Sequence, residues 1–245
     1  MLISAGADLD HETKAGRTAL MVAAFYGQVS ICHLLLESGA SPNQESKDGK
    51  TALACAAWNG SVSTSSLLVQ LNANVNYQAE DGTTALNQAA WRGHVETIEA
   101  LLDLGASSEK ESLDGNTALM KAAANGQVRA VRCLLKGGAK VNHESVSGCT
   151  TALIQACIHG QTSVIEELID GGASVDQETK VDFTPLCAAA VSGQLEAVIV
   201  MAMHGAKLDK KMKDGSTALI KASVSGRVDS AMMLIELGAD PHVEV

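Results

Sequence analysis

The sequence predicts an all-α solenoid of stacked helix-turn-helix repeats joined by hairpin-like turns. Three observations carry that expectation. A threonine that opens a short alanine-rich phrase recurs at Thr18, Thr51, Thr84, Thr117, Thr151, Thr184 and Thr217, with spacings of 33, 33, 33, 34, 33 and 33. A second ladder keeps the same period: Gly39-Ala40, Asn72-Ala73, Gly105-Ala106, Gly138-Ala139, Gly172-Ala173, Gly205-Ala206 and Gly238-Ala239, with Gly6-Ala7 one step earlier. Finally, Phe, Trp and Tyr supply only six of 245 residues although 46% of the chain is apolar. The interior must then be filled by Ala, Leu, Val and Ile in thin, closely approaching layers, and a fixed period of this length is the signature of a repeat architecture.

Each element of the unit has a local cause. The threonine before Ala-Leu suits a helix N-cap, because its hydroxyl accepts from a backbone N–H that has no partner inside the helix, and Thr184-Pro185 adds proline at the first helical position. The first helix is expected to run about nine residues, closing at Gly27, Gly60, Gly93, Gly126, Gly160, Gly193 or Gly226. A second helix follows, with apolar residues at helical spacing: Ile31, Leu35 and Leu36 in one copy, Ile98, Leu101 and Leu102 in another. It stops at the Gly-Ala ladder, where glycine suits a left-handed cap. The segment to the next Asp-Gly, as in Lys47-Asp48-Gly49, reads as a tight turn.

The unit T-[AP]-L-x-x-A-A-x-x-G, its nine-to-ten-residue second helix and the closing G-A-x-x-[ND] resemble the ankyrin repeat across essentially the whole chain. The histidine usual after T-P-L in that family is replaced by Met21, Ala54, Asn87, Met120, Ile154, Cys187 and Ile220, and only Pro185 keeps the proline. The chain divides as one array over residues 1–245, with a partial repeat at 1–10 and repeats beginning near 14, 47, 80, 113, 146, 180 and 213. Leu2 and Ile3 match the tail of a second helix, and the last helix is as apolar as the internal ones, so the array is expected to be a monomeric fragment of a longer chain. The extra residue near Cys149-Thr150 falls in a turn, where loop closure tolerates it.

Composition narrows the function classes. Net charge is −10, which opposes phosphate-backbone binding as the main activity. No apolar run approaches the roughly 18 residues that a membrane span needs, and no signal-peptide pattern opens the chain, so a cytoplasmic protein is expected. The six cysteines form no C-x-x-C pair and read as reduced thiols, Cys32, Cys133 and Cys157 as core fillers and Cys55 and Cys187 on first helices. His11 and His143 share a turn position four repeats apart, on the order of 40 Å at helix-packing spacing, far too distant to ligate one metal. Neither a metal nor a cofactor is expected, and no catalytic constellation stands out. Asn43, Asn76 and Asn142 read as turn-capping residues, at positions that in similar repeats can be hydroxylated.

In ankyrin-like stacks the turns and first helices line one concave side, where variable residues meet partners. The resemblance thus implies a protein–protein interaction module, a scaffold or adaptor, for an extended peptide or a protein domain; the alternative is a regulatory or targeting region of a larger enzyme or channel. Four of the six aromatics, Phe25, Tyr26, Trp58 and Trp91, fall in the variable slots of A-A-x-x-G, while Tyr77 and Phe183 lie in turn segments. Asn59, Arg92 and Asn125 share those slots, and Gln88 and Lys121 stand one helical turn earlier. Aromatic anchors suit partner binding but also packing between neighbouring first helices. Glu12, Glu45, Glu111, Glu144 and Glu178 repeat as an acidic turn ladder, which either attracts a partner segment carrying basic residues or is simply solvated.

Overall fold

The computed structural model describes residues 8–146 and 149–243, and among them are fourteen α-helices and no strand. First helices are α1 (Ala19–Phe25), α3 (Ala52–Trp58), α5 (Ala85–Arg92), α7 (Ala118–Ala124), α9 (Ala152–Ile158), α11 (Pro185–Ser192) and α13 (Ala218–Val224). Second helices are α2 (Val29–Glu37), α4 (Val62–Gln70), α6 (Val95–Asp103), α8 (Val128–Lys136), α10 (Thr162–Asp170), α12 (Leu195–Met203) and α14 (Val228–Glu236). No helix among the described residues is long and apolar enough to cross a membrane. The expected contacts of Leu2 and Ile3, and residues 1–7 of the partial repeat, lie outside the described residues.

Threonine caps open the first helices. Thr18, Thr51, Thr84, Thr151, Thr184 and Thr217 each accept a hydrogen bond from the backbone N–H three residues on. The first helices are seven or eight residues long, shorter than the expected nine, because the residues before the closing glycine leave the ladder for tighter bonds such as Gly27 N–H to Ala24 O. The turns close as two backbone bonds, for example Ser46 N–H to Lys50 O and Gly49 N–H to Ser46 O. The fifth turn closes from Ser145 N–H to Thr150 O, one residue longer, where the 34-residue spacing placed its extra residue. In the sixth turn Asp182 takes the left-handed conformation that glycine adopts elsewhere, with φ of 64°, and in the second Gly-Ala step Asn72 does the same at 70°.

The helices form two compact units, one reaching to Ala118 with Lys136–Ala139, the other comprising Leu119–Leu135 and the residues from Lys140. In the first, α1 packs on α3 and α3 on α5, while α2 packs on α4 and α4 on α6. In the second, α9, α11 and α13 pack in series, as do α10, α12 and α14. Fully buried alanine pairs such as Ala56-Ala57, Ala89-Ala90 and Ala189-Ala190 let first helices approach closely, and Leu53, Leu86, Ile98, Leu101, Ile165 and Leu168 fill the space behind them.

Side chains also reach from one repeat to the next. Asn43 Nδ2 donates to Asn72 O while Asn74 N–H donates to Asn43 Oδ1; Asn76 bridges Gly105 O and Ser107 N–H in the same way, and Asn142 bridges Gly172 O and Ser174 N–H. Asp10, Asp176 and Asp209 accept the corresponding N–H of Ser41, Lys207 and Asp240. A second series caps the end of the preceding first helix: His94 Nε2 donates to Trp58 O, Gln161 Nε2 to Ala124 O, Gln194 Nε2 to Ile158 O and Arg227 Nε to Val191 O. These bonds satisfy carbonyls that a helix C-terminus leaves open.

Two adjacent buried hydroxyls on α4 lack a partner. In α4, Thr64 and Ser65 are fully buried, yet neither hydroxyl has a hydrogen-bond partner. Burying an unpaired hydroxyl costs about 1–3 kcal/mol. Thr64→Val is therefore expected to raise the stability of the protein by about 1 kcal/mol, measured as a higher urea midpoint at unchanged slope.

Candidate interaction surface

Four of the six aromatic residues gather at the C-terminal ends of α1, α3 and α5. Because the two alanines before each variable slot are buried, the slot itself is turned outward. Phe25 and Tyr26 meet edge to face with ring centroids 5.3 Å apart, and Trp58 and Trp91 pack at 4.9 Å with their planes tilted by 60°. Tyr26 is 67% exposed, Trp91 42% and Phe25 36%, whereas Trp58 is half-buried beneath its neighbours. The rings thus touch each other within the stack and still present a face to solvent, so packing and availability coexist here.

Cations surround Trp58. The Arg92 guanidinium carbon lies 5.1 Å from its ring centroid and Lys50 Nζ lies 5.5 Å away, both within cation–π range. Asp48 Oδ2 sits 3.6 Å from Lys50 Nζ and 3.5 Å from Arg17 Nη2. The Ser46 hydroxyl donates to Asp48 Oδ1, and this hydrogen bond, with Lys50 and Arg17 assisting, holds the carboxyl below its ordinary range.

Of the remaining residues expected at the surface, Asn59 is exposed beside Trp58, and Asn125 is exposed with Nδ2 donating to Lys121 O. Gln88 differs: only 8% of it is exposed, and Nε2 donates to Thr83 Oγ1. Burial at this repeat position varies: Cys55 and Ala188 are buried like Gln88, Lys121, Gln155 and Lys221 are half-buried, and Val22 is exposed. Gln88 is therefore a packing residue with little surface to offer. Lys121 and Asn125 belong to the second unit, and Lys121 is half-buried.

The turn glutamates are tied into the repeats. Glu45 Oε2 accepts from Tyr77 OH at 2.8 Å and Oε1 from Glu80 N–H, which pushes the Tyr77 phenol above its ordinary value. Glu12 accepts from Gln44 Nε2, Glu144 from Lys180 N–H, and Glu178 pairs with Lys210. The carbonyl of Glu111 accepts from Gln78 Nε2. Each bond spans about one repeat, so the carboxylates of Glu12, Glu45, Glu144 and Glu178 act as cross-repeat acceptors in addition to facing solvent. Sequence position alone did not reveal this use, although a polar partner stands 32 to 36 residues on from each of these four.

Burial governs the thiols. Cys32, Cys55, Cys133, Cys157 and Cys187 are buried and Cys149 is exposed. Desolvation pushes the Cys55 and Cys157 thiols up, and that of Cys187 to about 12. A thiol reagent at neutral pH is expected to label one cysteine rapidly in the native protein, Cys149, and all six only after denaturation; peptide mapping of the labelled site checks this.

A family model described as ankyrin repeats in three copies matches residues 1–79, 34–112, 66–145, 86–179 and 153–245. The crystal structure of the human ASB11 ankyrin repeat domain is similar to this chain at 26% identity with a TM-score of 0.79, covering 92% of this chain and 100% of that one. The ankyrin repeat domain of Bcl-3, described as a unique member of the IkappaB protein family, is similar at 26% identity and a TM-score of 0.74, covering 89% and 99%. Among curated proteins none matches.

Proposed function

The chain belongs to the ankyrin-repeat family, and from that premise we propose that it is a cytoplasmic scaffold or adaptor that binds an extended peptide or a protein domain on the first-helix and turn side of its first three repeats. Ankyrin-repeat domains are protein-interaction modules, and the family model matches overlapping segments from residue 1 to residue 245. The observation that carries the finer reading is the concentration of scarce aromatics: Phe25, Tyr26, Trp58 and Trp91 lie together, partly exposed, in a protein with two other aromatic residues. Large rigid side chains with a polar tip bind at low entropic cost. Arg92 and Asn59 add polar contacts beside them. Lys121, Asn125 and the five turn glutamates are secondary contact points, the carboxylates of Glu12, Glu45, Glu144 and Glu178 already serving acceptor roles between repeats. The module works by preformed burial of partner side chains, with no bond chemistry, no metal and no cofactor.

Both tryptophans of the chain stand in this strip, so intrinsic fluorescence reports on it directly. Titration with a partner selected from a peptide display library is expected to shift or quench tryptophan emission saturably. A tight partner that leaves the emission unchanged would place binding elsewhere and refute the strip.

A further inference from the structure

We propose that the cleft between α1 and α3 takes a single apolar side chain from an acidic peptide segment, whose carboxylates dock on Arg17 and Lys50. The proposal rests on reading the first-helix side as the interaction surface, and it names the chemistry of the partner. The cleft has a volume of about 220 Å³ and is lined by Met21, Val22, Phe25, Cys55 and Trp58. That is smaller than the roughly 300–1,000 Å³ of a site for a whole small molecule, and it has room for one side chain. The apolar lining calls for a leucine-like or phenylalanine-like group.

Charge decides what flanks that group. Arg17, Tyr26 and Lys50 supply the polar part of the lining, and the Arg92 guanidinium carbon lies 5.1 Å from the centroid of the Trp58 ring. Three cations therefore surround the cleft and its tryptophan wall against the carboxylate of Asp48. Asp48 Oδ2 lies within 3.6 Å of Lys50 Nζ and 3.5 Å of Arg17 Nη2, which marks where a carboxylate fits between these two cations. A basic partner fits less well. The Trp58 ring that its cation would seek already has Lys50 and Arg92 within cation–π range, and the ladder carboxylates of the first two turns, Glu12 and Glu45, are engaged by Gln44, Tyr77 and Glu80. The net charge of −7 over residues 1–112, from 6 basic and 13 acidic side chains, acts over distances that salt screens beyond about 8 Å at physiological ionic strength. Contact inside the cleft is governed by the local cations.

The test is selection of peptides from a random display library on the immobilised full chain, followed by affinity measurement with the enriched peptides made synthetically. The expected peptides carry a Leu, Ile, Met or Phe flanked by Asp or Glu. Lys50→Glu is expected to weaken them by about tenfold or more, since like charges are then opposed. Asp48→Asn, which keeps the oxygen that accepts from Ser46, is expected to tighten them a few-fold by removing the internal competitor. Circular dichroism melts of both variants distinguish a folding failure from lost binding. Enrichment of basic or uncharged flanks, or indifference to both charge changes while Trp58→Ala still removes binding, overturns the acidic partner and leaves the strip standing. Peptides indifferent to Trp58→Ala as well, or no enriched peptide, overturn both.

Discussion

Replacing Ile98 by alanine is expected to lower the stability of the protein by about 2–5 kcal/mol, the range for truncating a fully buried isoleucine or leucine. Ile98 is fully buried on α6, a helix that packs against α4 and α5. The same repeat position holds Cys32 on α2 and Ser65 on α4, both smaller, so Ile98 supplies bulk that the two preceding repeats do not. Closely packed alanine layers have little freedom to collapse into a void. Stability in a repeat array is a sum of local and nearest-neighbour terms, so the loss is expected to concentrate around α4 to α6. Urea melts followed by far-UV circular dichroism measure its size, and amide hydrogen exchange its location. Leu113→Ala, at a residue that is largely exposed, is the control and is expected to change stability by less than about 0.5 kcal/mol.

Trp58→Ala is expected to weaken a bound partner by about 30-fold or more, the equivalent of about 2 kcal/mol and the threshold for an interface hot spot. Trp58 stands at the centre of the proposed surface: it lines the cleft, packs on Trp91 and has both Lys50 and Arg92 within cation–π range. Truncation removes the wall of the cleft and releases both cations from the positions that the ring gives them. Trp58→Phe keeps an aromatic face and is expected to retain most of the affinity. Equal losses in the two variants would indicate that the indole itself makes the decisive contact, and no loss in either would remove Trp58 from the interface. Isothermal titration calorimetry on both variants decides this.

Much of the fold was legible because its signals are local or periodic. Thr18 to Thr217 announced the helix starts through cap chemistry that operates within three residues, and the Gly-Ala ladder announced the stops. Position 87 and its counterparts were harder. With the usual histidine absent, the side chain of Asn87 takes up cap hydrogen bonding, accepting from the Thr84 N–H, whereas Met21, Met120, Ile154 and Cys187 present buried apolar side chains. Helical spacing fixes the direction in which a side chain leaves its helix but not the depth at which it ends, and for that reason Gln88 read as surface while it is buried. The association of Lys50 with Trp58 was equally hidden, because Lys50 stands in a turn and no helical periodicity connects the two. The cross-repeat bonds of Asn43, Asn76, His94 and Glu45 follow from the 33-residue period once the neighbouring copy is laid beside each residue, since their partners lie 29 to 36 positions away.

Amide hydrogen exchange on the chain with and without a saturating selected peptide tests the central claim most directly. Slowed exchange is expected in α1, α3 and α5 and the turns that precede them, with α2, α4 and α6 unchanged. Protection confined to the second helices, or to residues after Ala118, would contradict it.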